Sequence, residues 1–186
     1  MMRKLVLLSA APTAAQRRGA FDGDDSAEPG AFDGVRPPAL LAGDDHQHGP
    51  ERRCAESARA LGLESAPQPS LRAWDLGSWA GRAIAELGEA DPESFGAWRT
   101  DPTAAPHGGE TLVQFLARVG AWLDEPCERS RVVAVADASV VRASVIHALG
   151  ADWRAFWRLD LPPLTMTVLT HGSWTWRVRF VGAPMR

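Results

Sequence analysis

The segment RVVAVADASVVRASVIHALG, residues Arg131–Gly150, decides the fold class. Apart from its first arginine, Arg131–Ala136 is a continuous apolar run, which is typical of a parallel strand buried on both faces. Ser139–Leu149 then has the pattern of a helix, and Gly150 ends it. Asp137 stands between the two elements, where it can act as the N-cap of the helix. A buried strand followed directly by a helix predicts an α/β fold.

The segments on either side extend this alternation of strands and helices. Lys4–Leu8 is a second short apolar run and is predicted to be a central parallel strand. Leu164–Thr170 and Trp174–Phe180 each alternate in polarity around the turn His171–Ser173, which predicts an antiparallel hairpin. Further helices are predicted at Pro50–Leu61, Ala80–Leu87, Pro92–Trp98 (capped by Asp91), Glu110–Asp124 and Trp153–Leu159 (capped by Asp152). The pattern predicts one domain, residues 1–186, with a three-layer α/β/α sandwich, a mostly parallel central sheet and a C-terminal hairpin.

Composition excludes several classes of function. Hydrophobic residues make up 45% of the 186 residues and charged residues 23%, as in a folded globular domain. A net charge of −3 leaves no basic excess to neutralise a nucleic-acid backbone. The chain contains no apolar run near the roughly 20 residues that a membrane helix needs. Cys54 and Cys127 lie far apart, which fits a reducing compartment. We therefore expect a cytoplasmic protein without cofactor, metal, nucleic-acid partner or membrane partner.

Ala10–Pro50 is the least regular part of the sequence. It is rich in glycine, proline and aspartate, and only Ala39–Ala42 suggests a short regular segment. Irregular stretches of this length inside a domain are often functional. Within it, Asp44–His48 reads DDHQH, which could bind a metal but is more simply an exposed polar loop. We expect the loop.

Ligand-binding residues are expected where the two buried strands end. In an open α/β sheet, ligands bind beyond the carboxyl ends of the strands. Ser9–Thr13 follows the first predicted strand, and Asp137–Ser139 follows the second. These two segments therefore mark the candidate site.

Five motifs, in their order and spacing, resemble one protein family. They are SAAPT (Ser9–Thr13), PERRCAESARALGL (Pro50–Leu63), LRAWDLGSWAGR (Leu71–Arg82), FGAWRTDPTAAPHGGETLVQFLARV (Phe95–Val119), and VVRASVIHALG with FWRLDLPPLTMTVL (Val140–Gly150 and Phe156–Leu169). Together they resemble the histidine phosphatase (phosphoglycerate-mutase-like) superfamily over nearly the whole chain. The resemblance implies a three-layer fold and phosphoryl transfer through a covalent phosphohistidine.

The same resemblance identifies departures at the catalytic positions. Ala10 stands where the family has its nucleophilic histidine, and Asp137 where it has the second histidine. Ala73 replaces the acidic proton donor, and Ser9 replaces the arginine of the first motif. A methyl group cannot accept a phosphoryl group, and an ionised Asp137 would repel one. The family's first helix is also expected to be shortened or lost within Ala20–Pro37.

The resemblance also implies a set of residues facing a pocket. Arg53 matches the arginine of the family's anion pocket, although it could be a structural helix residue. Gln16 replaces an asparagine, and His107 opens a helix that faces the site in the family. Trp74 and Trp79 are either core residues or stack on a ligand. The predicted ligand-binding residues are Ser9, Gln16, Arg53, His107, Asp137 and Ser139.

The sequence is compatible with two functional hypotheses. In the first, the chain is a pseudoenzyme that binds a small molecule or a partner protein. In the second, it is a repurposed or residual hydrolase acting on a small metabolite, phosphorylated or not, with Asp137 or His107 in the pocket. In either case a homodimer could form through the open edge of the terminal hairpin.

Overall fold

The computed structural model describes residues 3–37, 41, 45–126, 130–172 and 174–185. Short 3₁₀ turns lie at Pro69–Leu71, Gly77–Trp79 and Trp153–Arg158. The strands and helices are, in chain order, β1 Arg3–Ser9, α1 Ala14–Arg17, β2 Asp45–His48, α2 Arg52–Ala60, β3 Ala66–Pro67, α3 Ile84–Ala90, α4 Pro92–Thr100, α5 Leu112–Asp124, β4 Arg131–Ala136, α6 Ala138–Leu149, β5 Thr165–His171 and β6 Trp176–Pro184. No helix among these residues is both long and apolar enough to cross a bilayer.

The strands form one mixed sheet in the order β3-β2-β4-β1-β5-β6. The pairs β2–β3, β2–β4 and β1–β4 are parallel, whereas β1–β5 and β5–β6 are antiparallel. The mostly parallel sheet with a C-terminal hairpin is therefore confirmed. Because β1 and β4 are neighbours and parallel, the segments after Ser9 and after Ala136 emerge side by side, as the candidate site requires.

Alternate residues of the central strands face two separate apolar cores. Leu5 and Leu7 of β1 pack on the side of α5 and α6, together with most of the tryptophans. Val6 and Leu8 pack on the opposite side, where α2 supplies Cys54. Helices cover both faces of these strands, which explains why β1 and β4 read as continuous apolar runs.

The predicted helices are present with shifted ends. The helix predicted at Ala80–Leu87 begins only at Ile84, because the 3₁₀ turn and the residues after it come first. α5 begins after Thr111, whose hydroxyl accepts from the Gln114 N–H in a capping box. Asp91 caps α4 as predicted. Residues 21–37 form turns and extended chain without a helix, in line with the expected loss of the family's first helix.

The prediction of a polar loop at Asp44–His48 is wrong for its described part. Asp45–His48 is strand β2, which pairs in parallel with β4. All four side chains are polar and only half buried. The sequence of this strand therefore lacks the apolar run by which a buried strand is recognised. Asp44 lies outside the described residues. The same holds for Cys127 and for most of the short segment predicted at Ala39–Ala42. Among the residues that are described, no cluster of three metal-ligand side chains occurs.

The hairpin forms, but its predicted apolar face changes part-way along β6. Trp176 and Val178 pack on the core side. The register then shifts on both sides of the pair Val168–Phe180, and Val181 rather than Phe180 contacts the core. Trp174 precedes the strand and is 94% exposed. The extra residue of a bulge reverses the alternation that the sequence pattern assumed.

Candidate functional site

A cavity of about 590 Å³ opens at the carboxyl ends of β1 and β4. A smaller space of about 190 Å³ shares Gln16, Arg53 and Asp137 with it and is lined by Ala10. The first turns of α2 and α6 reach this region because each helix follows a strand of the parallel part of the sheet. The cavity therefore lies at the strand ends, where the sequence analysis expected ligand-binding residues.

Arg53 is the centre of the polar floor of the cavity. Its side chain is 2% exposed. Its Nη2 donates to Asp137 Oδ2 over 2.7 Å and lies 3.5 Å from Asp22 Oδ2. Burial alone would lower the pKa of the guanidinium, but the charges of Asp137 and Asp22 outweigh it and raise the pKa. The arginine is thus permanently charged and already held by two carboxylates.

Asp137 combines the two roles that the sequence left open. Its Oδ1 accepts from the Ser139 backbone N–H over 2.8 Å and from the Ser139 hydroxyl, which caps α6. Its Oδ2 faces Arg53. Burial would raise the pKa of this carboxyl, but Arg53 and the Ser139 donors lower it overall. Asp137 is therefore a fixed carboxylate at the position where the resemblance places a histidine, and Ser139 lines the cavity beside it.

Asp22 is a second carboxylate on the floor that the sequence analysis missed. It accepts from the Thr13 hydroxyl and, over 2.6 Å, from Gln16 Nε2. Burial raises the pKa of Asp22, and the opposing effects of Arg53 and the two donors do not cancel it. Gln16 lines the cavity as predicted, but its amide is held by Asp22 and by the backbone N–H of Thr13. Asp22 lies in an irregular Gly- and Asp-rich stretch, and no sequence pattern singles it out.

Two predicted ligand-binding residues lie outside both cavity linings. Ser9 is buried, and its hydroxyl accepts from the Thr165 N–H over 2.9 Å and donates to Pro162 O over 2.8 Å. The His107 ring is enclosed behind Trp74 and Trp79, with its centroid 5.3 Å from that of Trp79. Burial lowers the pKa of this imidazole, and Asp75 offsets the effect only in part. Neither Ser9 nor His107 faces the cavity in this structure, because both side chains turn into the protein.

The remaining family positions line the cavity with small side chains. The methyl group of Ala10 faces the smaller space. Ala73 lines the larger one, and its backbone N–H donates to Glu51 Oε1 over 2.7 Å. Glu51, which the sequence analysis also missed, therefore places a carboxylate beside Ala73, the position where the resemblance places an acid. Glu51 belongs to the motif Pro50–Leu63, whereas Ala73 belongs to the motif Leu71–Arg82. A comparison made motif by motif therefore does not bring the two residues together.

Aromatic rings form the wall of the cavity. Trp74 lines it and stacks on Trp98 at 5.4 Å between ring centroids. Trp79 is absent from both linings and packs in the core instead. The ring-bearing residues in the lining are Phe21, Trp74, Trp98, Phe156 and Trp157. A polar floor beneath an aromatic wall is the usual composition of a small-molecule site.

The described residues that line the two spaces include no histidine, cysteine or lysine. The floor combines the guanidinium of Arg53 with the carboxylates of Asp22 and Asp137, and the guanidinium of Arg142 lines both spaces beside them. This arrangement can hold a ligand, but it offers no imidazole that could carry a phosphoryl group.

Comparisons with known proteins agree with the fold and the motifs. The profile of the histidine phosphatase superfamily (branch 1) matches residues 42–184, beginning after the Ser9–Thr13 segment. The chain is 30% identical over 115 residues to a bifunctional protein of Mycobacterium tuberculosis, covering 60% of this chain and 32% of that one. It is 33% identical over 118 residues to phosphoserine phosphatase 1 of Hydrogenobacter thermophilus, covering 61% and 56%. The matched region thus spans about a third to a half of these relatives.

A solved structure shares the fold over almost the entire chain. It is a histidine-to-alanine variant of the phosphoserine phosphatase of Entamoeba histolytica in complex with phosphoserine, with a TM-score of 0.83 and 16% identity, covering 97% of this chain and 96% of that one. With a family profile matched over most of its length and the sheet order described above, the chain belongs to the histidine phosphatase superfamily.

Proposed function

We propose that this chain is a pseudoenzyme of the histidine phosphatase superfamily, which binds a small molecule at the strand ends and does not transfer phosphoryl groups. One observation carries the proposal. The methyl group of Ala10, at the position where the motif resemblance places the nucleophile, lines the smaller space beside an Arg53 that is already bound by Asp137 and Asp22. The fold and the cavity are retained, whereas the reacting group is not.

Electrostatics at the floor support the same proposal. A phosphate group needs cationic or neutral donors around its oxygens. Here the guanidinium of Arg53 is neutralised by two carboxylates. Two like charges about 4 Å apart repel by about 4 kcal/mol at an effective dielectric constant near 20. A dianion placed against Asp137 therefore loses much of what Arg53 would contribute.

The two residues named for the hydrolase alternative, His107 and Asp137, are poorly suited to act as its acid or base. His107 lies behind the aromatic wall, and its Nδ1 accepts from the Gly109 N–H over 3.1 Å. Asp137 has a lowered pKa, and both of its oxygens already accept hydrogen bonds. A base with a low pKa that is already hydrogen-bonded removes protons poorly. We therefore favour binding without turnover.

Phosphate release from p-nitrophenyl phosphate and from phosphoserine tests the proposal. The H. thermophilus phosphoserine phosphatase 1 serves as the positive control in the same buffers, across a range of pH. We expect release at the level of a buffer blank and no acid-labile phosphohistidine, since loss of a covalent nucleophile removes about six orders of magnitude from kcat. Robust turnover that is abolished by replacing any single histidine would overturn the proposal.

Location and self-association stay predictions. We expect the protein in the cytoplasm, and we expect the outer strand β6 to allow a homodimer. Phe180 on this strand and Trp174 just before it are exposed, which gives the edge apolar contacts as well as free backbone groups. Light scattering across a range of protein concentrations checks the dimer, and a strictly monomeric mass would exclude it.

A further inference from the structure

Basic side chains cross the sheet at the end remote from the cavity, near the amino ends of β1 and β4. Lys4 of β1 pairs with Arg131 of β4 and with Thr170 of β5, and Thr170 pairs with Arg177 of β6. Paired residues of neighbouring strands point to the same face of a sheet. These residues therefore share the face of Val6, which is opposite to the face covered by α5 and α6. The basic row is defined here as Arg131, Lys4, Arg177 and the neighbouring Arg179.

Three cations of the basic row have no anionic partner. Lys4, Arg177 and Arg179 form no ion pair within the described ranges of the chain. Arg177 and Arg179 are exposed, and Lys4 is half-buried. The whole chain has a net charge of −3, so the basic row has the opposite sign to the molecule that carries it. A local patch of this sign attracts an anionic partner and repels a basic one.

The basic row ends at an open edge of the sheet. β6 is the outermost strand in the described part of the sheet, so the outer backbone groups of Trp176–Pro184 have no strand beside them there. Such an edge can take up an extended peptide as an additional strand. Trp174 in the preceding turn is 94% exposed, and the exposed Phe180 pairs with Val168 on the face of the basic row. Charges and bulges often protect an edge from pairing, but exposed aromatic rings do not.

The charges on β6 favour an acidic strand over a second copy of this chain. Two copies of β6 that pair antiparallel about a twofold axis bring Arg177 and Arg179 of both copies together along one seam. Like charges on paired strands destabilise the pairing, whereas opposite charges stabilise it. Because side chains alternate along a strand, apolar residues between the carboxylates of an acidic strand would lie beside Val178 on the other face.

We propose that the edge of β6 and the basic row form a docking surface for an extended acidic segment of a partner protein, which adds to the sheet as a strand beside β6. Carboxylates on its alternate residues pair with Arg177 and Arg179, and its backbone bonds to the backbone of β6. Lys4 adds to the positive potential behind them. The surface lies at the other end of the sheet from the cavity, so this inference does not depend on the proposed function.

The probe is the fluorescein-labelled peptide EVETEVE, and KVKTKVK is its counterpart of opposite charge. Fluorescence anisotropy measures binding to wild type and to Arg177→Glu combined with Arg179→Glu. Arg82→Glu combined with Arg99→Glu is the matched control, because it changes the net charge equally at exposed arginines before α3 and on α4. Thermal unfolding checks that both double variants are folded. Hydrogen exchange of the β6 amides in wild type, with and without peptide, tests the docking site without any variant.

We expect EVETEVE to bind wild type and the control equally, to slow exchange of the β6 amides, and to bind Arg177→Glu with Arg179→Glu about tenfold more weakly or worse. KVKTKVK should not bind. Equal affinity for the two double variants, or slowed exchange only at other strands, would overturn the proposal. Absence of any binding would also overturn it, since the charges would then only protect the edge. Binding to vesicles of phosphatidylcholine and phosphatidylserine but not to EVETEVE would assign the surface to a membrane, and a dimer that excludes the peptide would assign it to a second copy.

Discussion

Arg53 is held by two carboxylates at the position where the family resemblance places an anion-binding arginine. In this structure it joins α2 to the start of α6 through Asp137 and to the loop after α1 through Asp22. The three side chains form a buried charged cluster, and one guanidinium compensates two carboxylates. Removing the arginine would leave those carboxylates buried without a cation.

We expect Arg53→Ala to lower the free energy of unfolding by about 3–5 kcal/mol, as for other buried ion pairs that lose one partner. Arg52→Ala is the matched control. The Arg52 side chain is 60% exposed and lies 3.8 Å from Asp24, so its loss is expected to cost less than about 1 kcal/mol. Urea denaturation of both variants measures the difference. Equal stability of the two variants would mean that the cluster around Arg53 contributes nothing.

Neutralising the carboxylates is expected to restore anion binding. Wild-type protein should bind inorganic phosphate only at millimolar levels or worse, about −4 kcal/mol. Asp137→Asn keeps an N-cap for α6 and should tighten binding about tenfold or more, because it removes one of the repelling charges. Asp22→Asn combined with Asp137→Asn should tighten it further. Calorimetric titration at fixed ionic strength decides; an unchanged affinity in Asp137→Asn would show that this carboxylate does not act on the bound anion.

The buried imidazole of His107 predicts a dependence of stability on pH. Burial lowers its pKa in the folded protein, so the unfolded chain binds this proton more tightly. The stabilisation is therefore complete above the ordinary pKa of about 6.5 and is lost as the pH falls below it. His107→Phe should show a smaller loss of unfolding free energy between about pH 7 and pH 5. Parallel pH curves for the two proteins would contradict the assignment.

At the residue scale, the sequence predicted the position of the cavity better than the side chains that line it. Asp137 and Arg53 line the cavity, and they were predictable because one stands between a buried strand and a helix and the other matches a motif. Ser9 and His107 do not line it, since a motif gives a position along the chain but not the direction of a side chain. Asp22 reaches the floor only because the loop after α1 folds back, which no local pattern predicts.

Strands and helices were predictable where their burial gives the sequence a regular hydrophobic pattern. β1 and β4 are covered on both faces and read as apolar runs, and α5 carries one apolar face. β2 has neither feature, because its four side chains are only half buried. Its strand conformation comes from pairing with β4, a contact between residues far apart in the sequence. Tertiary pairing of this kind overrides local propensity.

The cavity wall depends on two loops that meet through glycines. Ser78 N–H donates to His107 O over 2.9 Å, and Glu110 N–H donates to Asp75 O over 2.9 Å. A Cβ atom on Gly77 would lie 2.1 Å from His107 O, and one on Gly109 would lie 2.1 Å from Asp75 O. The backbones approach this closely only because neither residue has a side chain. The contact holds Trp74, whose indole N–H donates to Glu110 O over 2.8 Å.

We expect Gly77→Ala to destabilise the protein by about 2 kcal/mol or more, since a positive φ and a backbone clash act together. Gly81→Ala is the control, because Gly81 also has a positive φ of 76° but no atom lies within 4 Å of its added Cβ. That variant should lose only about 1 kcal/mol from the backbone conformation. Thermal and urea unfolding of both variants separate the clash from the conformational effect. Similar losses in both would show that the loops can move apart.

At the scale of the whole molecule, fold and chemistry depend on different numbers of residues. The fold rests on two apolar cores that involve every layer, so changes at a few polar positions leave it intact. The family's chemistry would need several side chains from β1, α1, α2 and α6 to be correct at once. This asymmetry explains why the family can be recognised from motifs along the chain even when single polar positions differ from its pattern.

The same asymmetry predicts that catalysis cannot be restored by one substitution. Ala10 lines the smaller space of about 190 Å³, so this space has room for the imidazole of Ala10→His. The phosphoryl group would still meet Asp137 and Asp22, whose charges oppose it. We expect Ala10→His alone to release phosphate from p-nitrophenyl phosphate no faster than wild type.

Ala10→His combined with Asp137→His and Asp22→Asn should exceed that background and form a phosphohistidine, because the nucleophile then faces a donor where a carboxylate stood. Asp137→His with Asp22→Asn, which keeps Ala10, is the matched control and should stay inactive, since it lacks the group that takes the phosphoryl. The triple variant should remain slow, because Ser9 and Ala73 still replace an arginine and an acid. Phosphate release and phosphohistidine formation are measured for wild type, Ala10→His, the triple variant and the double-variant control. High and equal activity in Ala10→His and in the triple variant would show that the two carboxylates do not oppose phosphoryl transfer, and the charge argument for the pseudoenzyme would fail with it.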